Sequence, residues 1–224
     1  DVFCGHSASC QRARIQCPSG DYQCNVYCTE YSSPCRYLTV NGSDYGTLTV
    51  TVTPTDDTSN GGLYMLQYSN IYCPNYGECN VNSYISYTSS SSTNFDVYGG
   101  TQGTLNVNCR AAGACVGADI HLSLKTDLTL TCDATYACRQ VDVYYEEEND
   151  ALDAKLQVIA SADYALLDAV IRCPDSDNAD SVCSVHAEGD YVQMMRGLQI
   201  WTFGSFDDVE LVCNYTRSYE MNCA

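Results

Sequence analysis

The chain has 224 residues, and its 28 acidic and 10 basic residues give a formal net charge of −18 at pH 7. This excess of negative charge disfavours nucleic acid and anionic membrane surfaces as partners. No apolar stretch approaches the length that a membrane-spanning helix needs.

Strand signals dominate the chain, because apolar and polar residues alternate with a period of two. In chain order the clearest runs lie at 47–54, 105–109, 119–124, 127–132, 140–145 and 209–213. Helical periodicity is nearly absent: residues 146–159 could hold a turn or two, and the segment 158–173 reads better as strands joined by a tight bend. The pattern predicts an all-β fold.

Sixteen cysteines fall into eight consecutive local pairs, separated by five or six residues in the first six pairs and by nine in the last two. An even number at repeated spacing predicts disulfides and an oxidising, extracellular setting. Zinc is disfavoured because the chain has no CxxC. Sequence leaves the connectivity open, and short uniform loops favour bridges between neighbours. These are Cys4/Cys10, Cys17/Cys24, Cys28/Cys35, Cys73/Cys79, Cys109/Cys115, Cys132/Cys138, Cys173/Cys183 and Cys213/Cys223.

The unit strand, cysteine, short loop, cysteine, strand recurs along the chain, as in repeat architectures. Most of the later gaps between first cysteines are close to one or two times twenty residues. We therefore predict one right-handed parallel β-solenoid over 1–224, with rungs of about twenty residues clamped by local disulfides. Rungs without a bridge would carry apolar or Thr residues, as in 156–163 and 198–205. The denser pairs within 1–36 indicate a cap or subregion.

A disulfide-rich antiparallel β-sandwich is the alternative fold, because it also contains many short strands. The recurrence of the motif in one orientation and the scarcity of Asn-Gly turns favour the solenoid.

Candidate modification and cation sites are few. The sequons at Asn41 and Asn214 predict N-linked glycans in a secreted chain. The pair Asp175/Asp177, in the loop between Cys173 and Cys183, could bind Ca²⁺ weakly, although a solvated acidic loop is the simpler interpretation. No other cofactor is expected.

Catalysis is not expected. Polysaccharide lyases and hydrolases built on parallel β-helices need converging carboxylates. Adjacent acids such as Asp207/Asp208 and the run at 146–148 are expected by chance among 28, and consecutive strand residues face opposite ways. His6, His121 and His186 form no Ser-His-Asp set by local spacing.

Two surface features leave other functions open. The ladder TLTVTVT at 47–53 resembles an ice-binding Thr array, but the sequence shows no such array on every coil. Nineteen tyrosines suit protein contacts or stacking on glycans, and sheet-face filling would account for at least half of them.

The repeated unit resembles the cysteine-rich solenoid repeats of secreted proteins from microbial eukaryotes. Among these it is similar to shaft proteins of mastigonemes, the hair-like filaments on flagella of heterokont algae. The segments that carry the resemblance are FCGHSASCQRARIQC (3–17), IYCPNYGECNVNSYIS (71–86), VNCRAAGACVGADIHL (107–122) and LTCDATYACRQVDVYY (130–145). The resemblance spans most of the chain apart from 37–66. It implies glycosylated, bridged rods assembled end to end, without catalytic residues.

We therefore expect a secreted structural subunit of an extracellular filament or surface appendage, self-associating through its ends and Tyr-rich faces. Motifs run close to both termini, so we expect further chain or a neighbouring copy to cover the terminal strand edges. The alternative is a secreted β-helix that binds or cleaves polysaccharides.

Overall fold

The computed structural model of the chain describes residues 1–6, 8–29, 34–53, 65–85, 94–123, 125–145, 154–174, 181–189, 196–202 and 209–215. These residues form seventeen β-strands and no helix. In chain order the strands are β1 Val2–Cys4, β2 Arg14–Gln16, β3 Gln23–Thr29, β4 Thr39–Asn41, β5 Thr47–Thr53, β6 Asn70–Tyr72, β7 Glu78–Ser83, β8 Asp96–Tyr98, β9 Gln102–Cys109, β10 Asp119–Leu122, β11 Lys125–Cys132, β12 Asp142–Tyr145, β13 Lys155–Ala160, β14 Val170–Arg172, β15 Val182–Gly189, β16 Gln199–Trp201 and β17 Val209–Tyr215.

Consecutive strands alternate between two parallel sheets, so the chain winds as a β-solenoid. The odd-numbered strands form a nine-stranded sheet in the order β1 to β17, called here the odd sheet. The even-numbered strands form an eight-stranded sheet in the order β2 to β16, the even sheet. Every strand pair found in the described residues is parallel. The solenoid prediction is confirmed, and the antiparallel sandwich is wrong.

Each coil is longer than the expected rung of about twenty residues. The strand register advances by 23 residues from Leu105 to Leu128 and by 31 from Val50 to Val81. The extra length arises because a coil has three sides: one strand in each sheet and a turn segment between them. Some bridges lie at one corner of the coil and some at another, so the gaps between the first cysteines of successive pairs are not whole numbers of coils. They therefore predict a coil with too few residues.

The core is filled by inward side chains that stack from coil to coil. In the odd sheet Val26, Val50, Val81 and Val107 are register partners and are fully buried. The even sheet contributes a matching buried column: Val40, Ile71, Val97, Ile120, Val143 and Ile171. β-Branched residues suit strands, and burying each such side chain contributes about 1.5–3 kcal/mol.

In the described residues, the third side is a stack of tight turns where the chain passes from an odd strand to the next even strand. In the segment 134–141, Tyr136 and Gln140 have φ of 59° and 57°. Each is the third residue of a turn closed by a backbone hydrogen bond, the position where a type II turn requires positive φ. Glycines, Gly113 and Gly117, hold the same two positions one coil earlier. The Gly117 N–H donates to a carbonyl of the next coil at 2.9 Å, so this side is also hydrogen-bonded along the axis.

Among the described residues, seven disulfides join the neighbouring cysteines that the spacing predicted, and they lie at two corners of the coil. Four lie where an odd strand enters the turn segment: Cys4–Cys10, Cys28–Cys35, Cys109–Cys115 and Cys132–Cys138. Three lie where an even strand leads into the next odd strand: Cys17–Cys24, Cys73–Cys79 and Cys173–Cys183. Their Cα–Cα distances of 5.5–6.1 Å are ordinary for a disulfide.

The structure does not test the eighth predicted disulfide, between Cys213 and Cys223. Cys223 lies outside the described residues. Its predicted partner, Cys213, lies in β17, but the side chain of Cys213 is outside the described part of the chain. The disulfide role of Cys213 and Cys223 is therefore not confirmed and stays a prediction.

Unbridged coils replace the cysteine with small or apolar residues. The column that starts with Cys4 and Cys28 continues through the register partners Val52, Ser83, Cys109, Cys132, Ala160 and Ala187. Ala160 ends the strand β13, in the segment that was expected to form an unbridged rung. Within 1–36, bridges occupy both corners of adjacent coils, which accounts for their dense spacing.

Candidate functional site

The outer face of the even sheet carries an aromatic column, formed by Tyr72, Tyr98, His121 and Tyr144. Strand register places one ring on each successive coil. Ring centroids lie 4.6 Å apart for Tyr72 and Tyr98, 4.2 Å for Tyr98 and His121, and 4.4 Å for His121 and Tyr144. The first two contacts are stacked and the third is edge-on. The aromatic column therefore braces four coils from outside.

This stacking limits what the aromatic column can bind. Sugars stack on exposed ring faces, but the faces of Tyr98 and His121 are turned towards neighbouring rings. The His121 Nε2 and the Tyr144 hydroxyl lie 2.9 Å apart in a hydrogen bond. The arrangement favours a role for these rings in holding neighbouring coils together over a role in stacking on glycans.

An acidic column runs beside the aromatic column, formed by the register partners Asp96, Asp119 and Asp142. Burial raises the pKa of Asp119 above its usual value, and the carboxylates of Asp96 and Asp142 raise it further, while His121 opposes the effect. The Asp119 carboxyl therefore binds a proton more tightly in the folded chain than in the unfolded chain.

The outer face of the odd sheet carries a different pattern, which we call the polar strip. It consists of the two middle outward positions on six neighbouring strands: Asn25 and Tyr27, Thr49 and Thr51, Asn80 and Asn82, Asn106 and Asn108, Thr129 and Thr131, and Gln157 and Ile159. Strand register aligns these pairs from coil to coil. No member of the polar strip is charged, in a chain with a net charge of −18.

Asparagine amides within the polar strip are linked along the axis. The Asn106 Nδ2 donates to the Asn80 Oδ1 at 3.0 Å, and the Asn108 Nδ2 donates to the Asn82 Oδ1 at 2.9 Å. Each amide thus has a fixed orientation and keeps further hydrogen-bonding capacity.

Tyrosines also stack at the turn segments. The Tyr37 and Tyr68 rings lie 5.3 Å apart, and the Arg36 guanidinium lies 4.9 Å from the Tyr37 centroid. The Tyr136 and Tyr164 rings lie 4.9 Å apart. These rings lie on the turn side of the coil and are partly exposed, so they fill neither a sheet face nor the core. Five further tyrosines lie outside the described residues: Tyr31, Tyr64, Tyr87, Tyr191 and Tyr219.

The predicted glycosylation sites lie on opposite sheets. Asn41 ends β4, where its side chain is half-buried and its Nδ2 atom is enclosed without a hydrogen-bond partner. A glycan on Asn41 requires this amide to turn outward. Asn214 lies in β17, and its side chain is outside the described part of the chain. Both sites stay predictions.

The histidines and acids considered for catalysis are not brought together among the residues that the structure describes. The His186 Nε2 lies 3.8 Å from a Glu210 carboxylate oxygen on the same sheet, whereas His121 belongs to the aromatic column of the other sheet. The acids at 146–148, Asp175/Asp177 and Asp207/Asp208 lie outside the described residues, and so does the candidate calcium loop.

One sulfur cluster has the dimensions of a metal site. The Sγ atoms of Cys4, Cys28 and Cys35 lie within 4.8 Å of one another. Cys28 and Cys35 are bonded to each other and Cys4 to Cys10, so none offers the thiolate that a metal requires. The cluster is two disulfides stacked on adjacent coils.

The polar strip and the acidic column were missed by sequence reasoning, although both leave a signal. The strip appears as NVN at 80–82 and again at 106–108. The acidic column appears as an aspartate that opens three even strands, at 96, 119 and 142. Alignment of the chain on its coil register would have revealed them.

No family model matches the chain, and neither a curated protein nor a solved structure matches it. Among the described residues there is no helix long and apolar enough to cross a membrane.

Proposed function

We propose that this chain is a structural subunit of an extracellular filament or surface appendage. The observation that carries the proposal is the direction of its side-chain interactions. Seven ring contacts among the described residues join one coil to the next. A solenoid braced from coil to coil on every side is suited to transmit load along its axis.

Polar contacts follow the same direction. At one corner the Asn75 Nδ2 donates to Asp44 at 3.0 Å, and the Thr101 hydroxyl donates to Asn75 at 3.2 Å. Just beyond the ends of β9 and β11, the Arg110 Nε and an Asp133 oxygen lie 3.8 Å apart. Each partner lies one coil from the other. Such exposed contacts contribute little singly, but they repeat along the axis.

The disulfides complement this bracing. Each closes a short loop at a corner, and a loop of this size contributes about 2 kcal/mol in the chain-entropy estimate. Repeat proteins lose coils locally, since each coil contacts only its neighbours. Bridges at the corners oppose that local opening. Their number supports a secreted protein in an oxidising compartment.

Assembly in this proposal extends the same parallel stacking. In the described residues β1 pairs only with β3, and β17 only with β15. A further coil, from the same polypeptide or another copy, adds to these edges by parallel strand pairing. A head-to-tail contact that does not close on itself gives a filament. N-linked glycans and the acidic surface would keep it soluble.

Negative-stain electron microscopy of the native material, with and without reductant, tests the proposal. We expect filaments in the oxidised sample that fray or dissolve once the disulfides are reduced. Discrete, monodisperse particles in the oxidised sample at high protein concentration would contradict a filament subunit.

A further inference from the structure

We propose that the polar strip is the surface through which two copies of this chain pair side by side, strip against strip. The inference rests on the proposed filament function, because it concerns how filaments associate laterally.

Charge is the first reason. Copies that each carry −18 repel one another, so close lateral approach needs a neutral face. The polar strip supplies twelve uncharged outward positions on β3, β5, β7, β9, β11 and β13. Its flanks are nearly balanced: Glu78, Asp127 and Lys155 lie along one side, and Arg110 and Asp133 along the other. The even sheet, by contrast, presents the acidic column.

Periodicity is the second reason, and it favours a second copy over other occupants. Neighbouring strands lie about 4.8 Å apart, so the outward side chains of a second solenoid repeat at the same interval as those of the first. Side chains of two such faces can interdigitate along their whole length. Paired sheets with short polar side chains and asparagine ladders form this kind of interface, at a spacing of about 10 Å.

Rigidity is the third reason. Asn80, Asn82, Asn106 and Asn108 are already tied by their ladder hydrogen bonds. The threonines of the strip are β-branched and have restricted χ1 angles. Pairing therefore orders few side chains that were free before, which lowers its entropic cost.

The small area of this contact explains why the pairing is expected between filaments rather than between single copies. Six strands span about 24 Å, and two outward positions span about 7 Å along the strand. The contact is therefore on the order of two hundred Å² per copy, well below the roughly 800 Å² per partner of a stable interface. A single pair is weak, whereas many contacts along two filaments add together.

Thr129→Glu and Thr51→Glu test the inference, because each places a charge within the strip. The matched control is Thr39→Glu, which changes an outward threonine of the even sheet. We expect native and Thr39→Glu filaments to run in pairs at physiological salt. Each strip variant should lower the paired fraction at least tenfold without shortening the filaments. Far-UV circular dichroism checks that each variant is folded.

A charge exchange gives a second readout. Thr129→Lys filaments should be unpaired alone and should pair when mixed with Thr129→Glu filaments. Native filaments that stay single, or pairs that persist in both glutamate variants, would overturn the inference and leave the filament function standing. Binding of the strip to ice crystals or to a neutral glucan without any pairing would overturn it too.

Failure of the filament function itself is distinguishable. If native material forms no filaments, sedimentation equilibrium at high protein concentration replaces microscopy. A weak dimer that Thr129→Glu abolishes and Thr39→Glu retains would support the strip as a pairing face, and a strict monomer would overturn it.

Discussion

At the scale of single residues, the stacked coils leave no room at certain glycines. A Cβ on Gly77 would lie against the carbonyl oxygen of Gly46, one coil away, and a Cβ on Gly103 would lie against that of Gly77. Gly46 also has a φ of 107°, which L side chains rarely adopt. The glycines at this corner are therefore fixed by the close approach of neighbouring backbones.

Gly77→Ala should lower the free energy of unfolding by about 1–3 kcal/mol, because the backbone of an adjacent coil must shift to admit the methyl group. Gly5→Ala is the control, since a Cβ there meets only the Thr29 hydroxyl oxygen, at 3.3 Å. Thermal unfolding followed by circular dichroism measures both. Equal melting temperatures for the two variants would contradict the close packing at Gly77.

The acidic column predicts a pH dependence. The pKa of Asp119 is raised by burial first and by Asp96 and Asp142 next, so its charged form destabilises the folded state at pH 7. This penalty is relieved as pH falls through the raised pKa and disappears below the ordinary value of 3.8. His121, the basic group facing the acidic column, lowers the pKa of Asp119 and so reduces this penalty.

Asp119→Asn should therefore raise the melting temperature at pH 7, and the gain should shrink as pH falls towards 4. A melting series from pH 7 to pH 3 measures this, with the exposed Asp21→Asn as the control that changes little. A variant that is less stable than the native chain at pH 7 would show that Asp119 stabilises the fold as a carboxylate.

At the scale of elements, alternation predicts several of the longer strands and misses the three-residue strands of the even sheet. Alternation over six or more residues revealed β5 and β11, because one face of each is buried. The three-residue strands of the even sheet, such as β4 and β8, are too short to show a period of two. The backbone conformation of the turn segments was missed for another reason. Positive φ is usually signalled by glycine, and here tyrosines such as Tyr136 adopt it.

The disulfide at one coil can be removed with little change to the fold. Cys132 and Cys109 share a buried column with Ala160 and Ala187, which occupy it in unbridged coils. Cys132→Ala combined with Cys138→Ala should therefore fold and should lose about 2 kcal/mol of stability.

Limited proteolysis and thermal unfolding measure this loss, and we expect new cleavage confined to the turn segment 133–139. Global unfolding of the double variant at 25 °C would mean that the bridge is required for folding rather than for local clamping.

At the scale of the whole molecule, the parallel sheets, the stacked turns and the ring contacts all run along one axis. The all-β solenoid and seven of its neighbouring disulfides follow from the cysteine spacing and the strand alternation, and the pairing of Cys223 stays a prediction from that spacing alone. The outer faces could not be predicted as faces, because their columns depend on a coil length that varies from 23 to 31 residues. That variation hides the repeat of the polar strip and the acidic column in the linear sequence.

The most direct measurement of the filament account is the axial repeat of native filaments, by electron diffraction or cryo-electron microscopy. Coils stacked end to end place the strands across the filament, so we expect a strong repeat of about 4.8 Å along its axis. Filaments whose repeat of about 4.8 Å runs across the axis, or that lack it, would show that solenoid stacking does not build them.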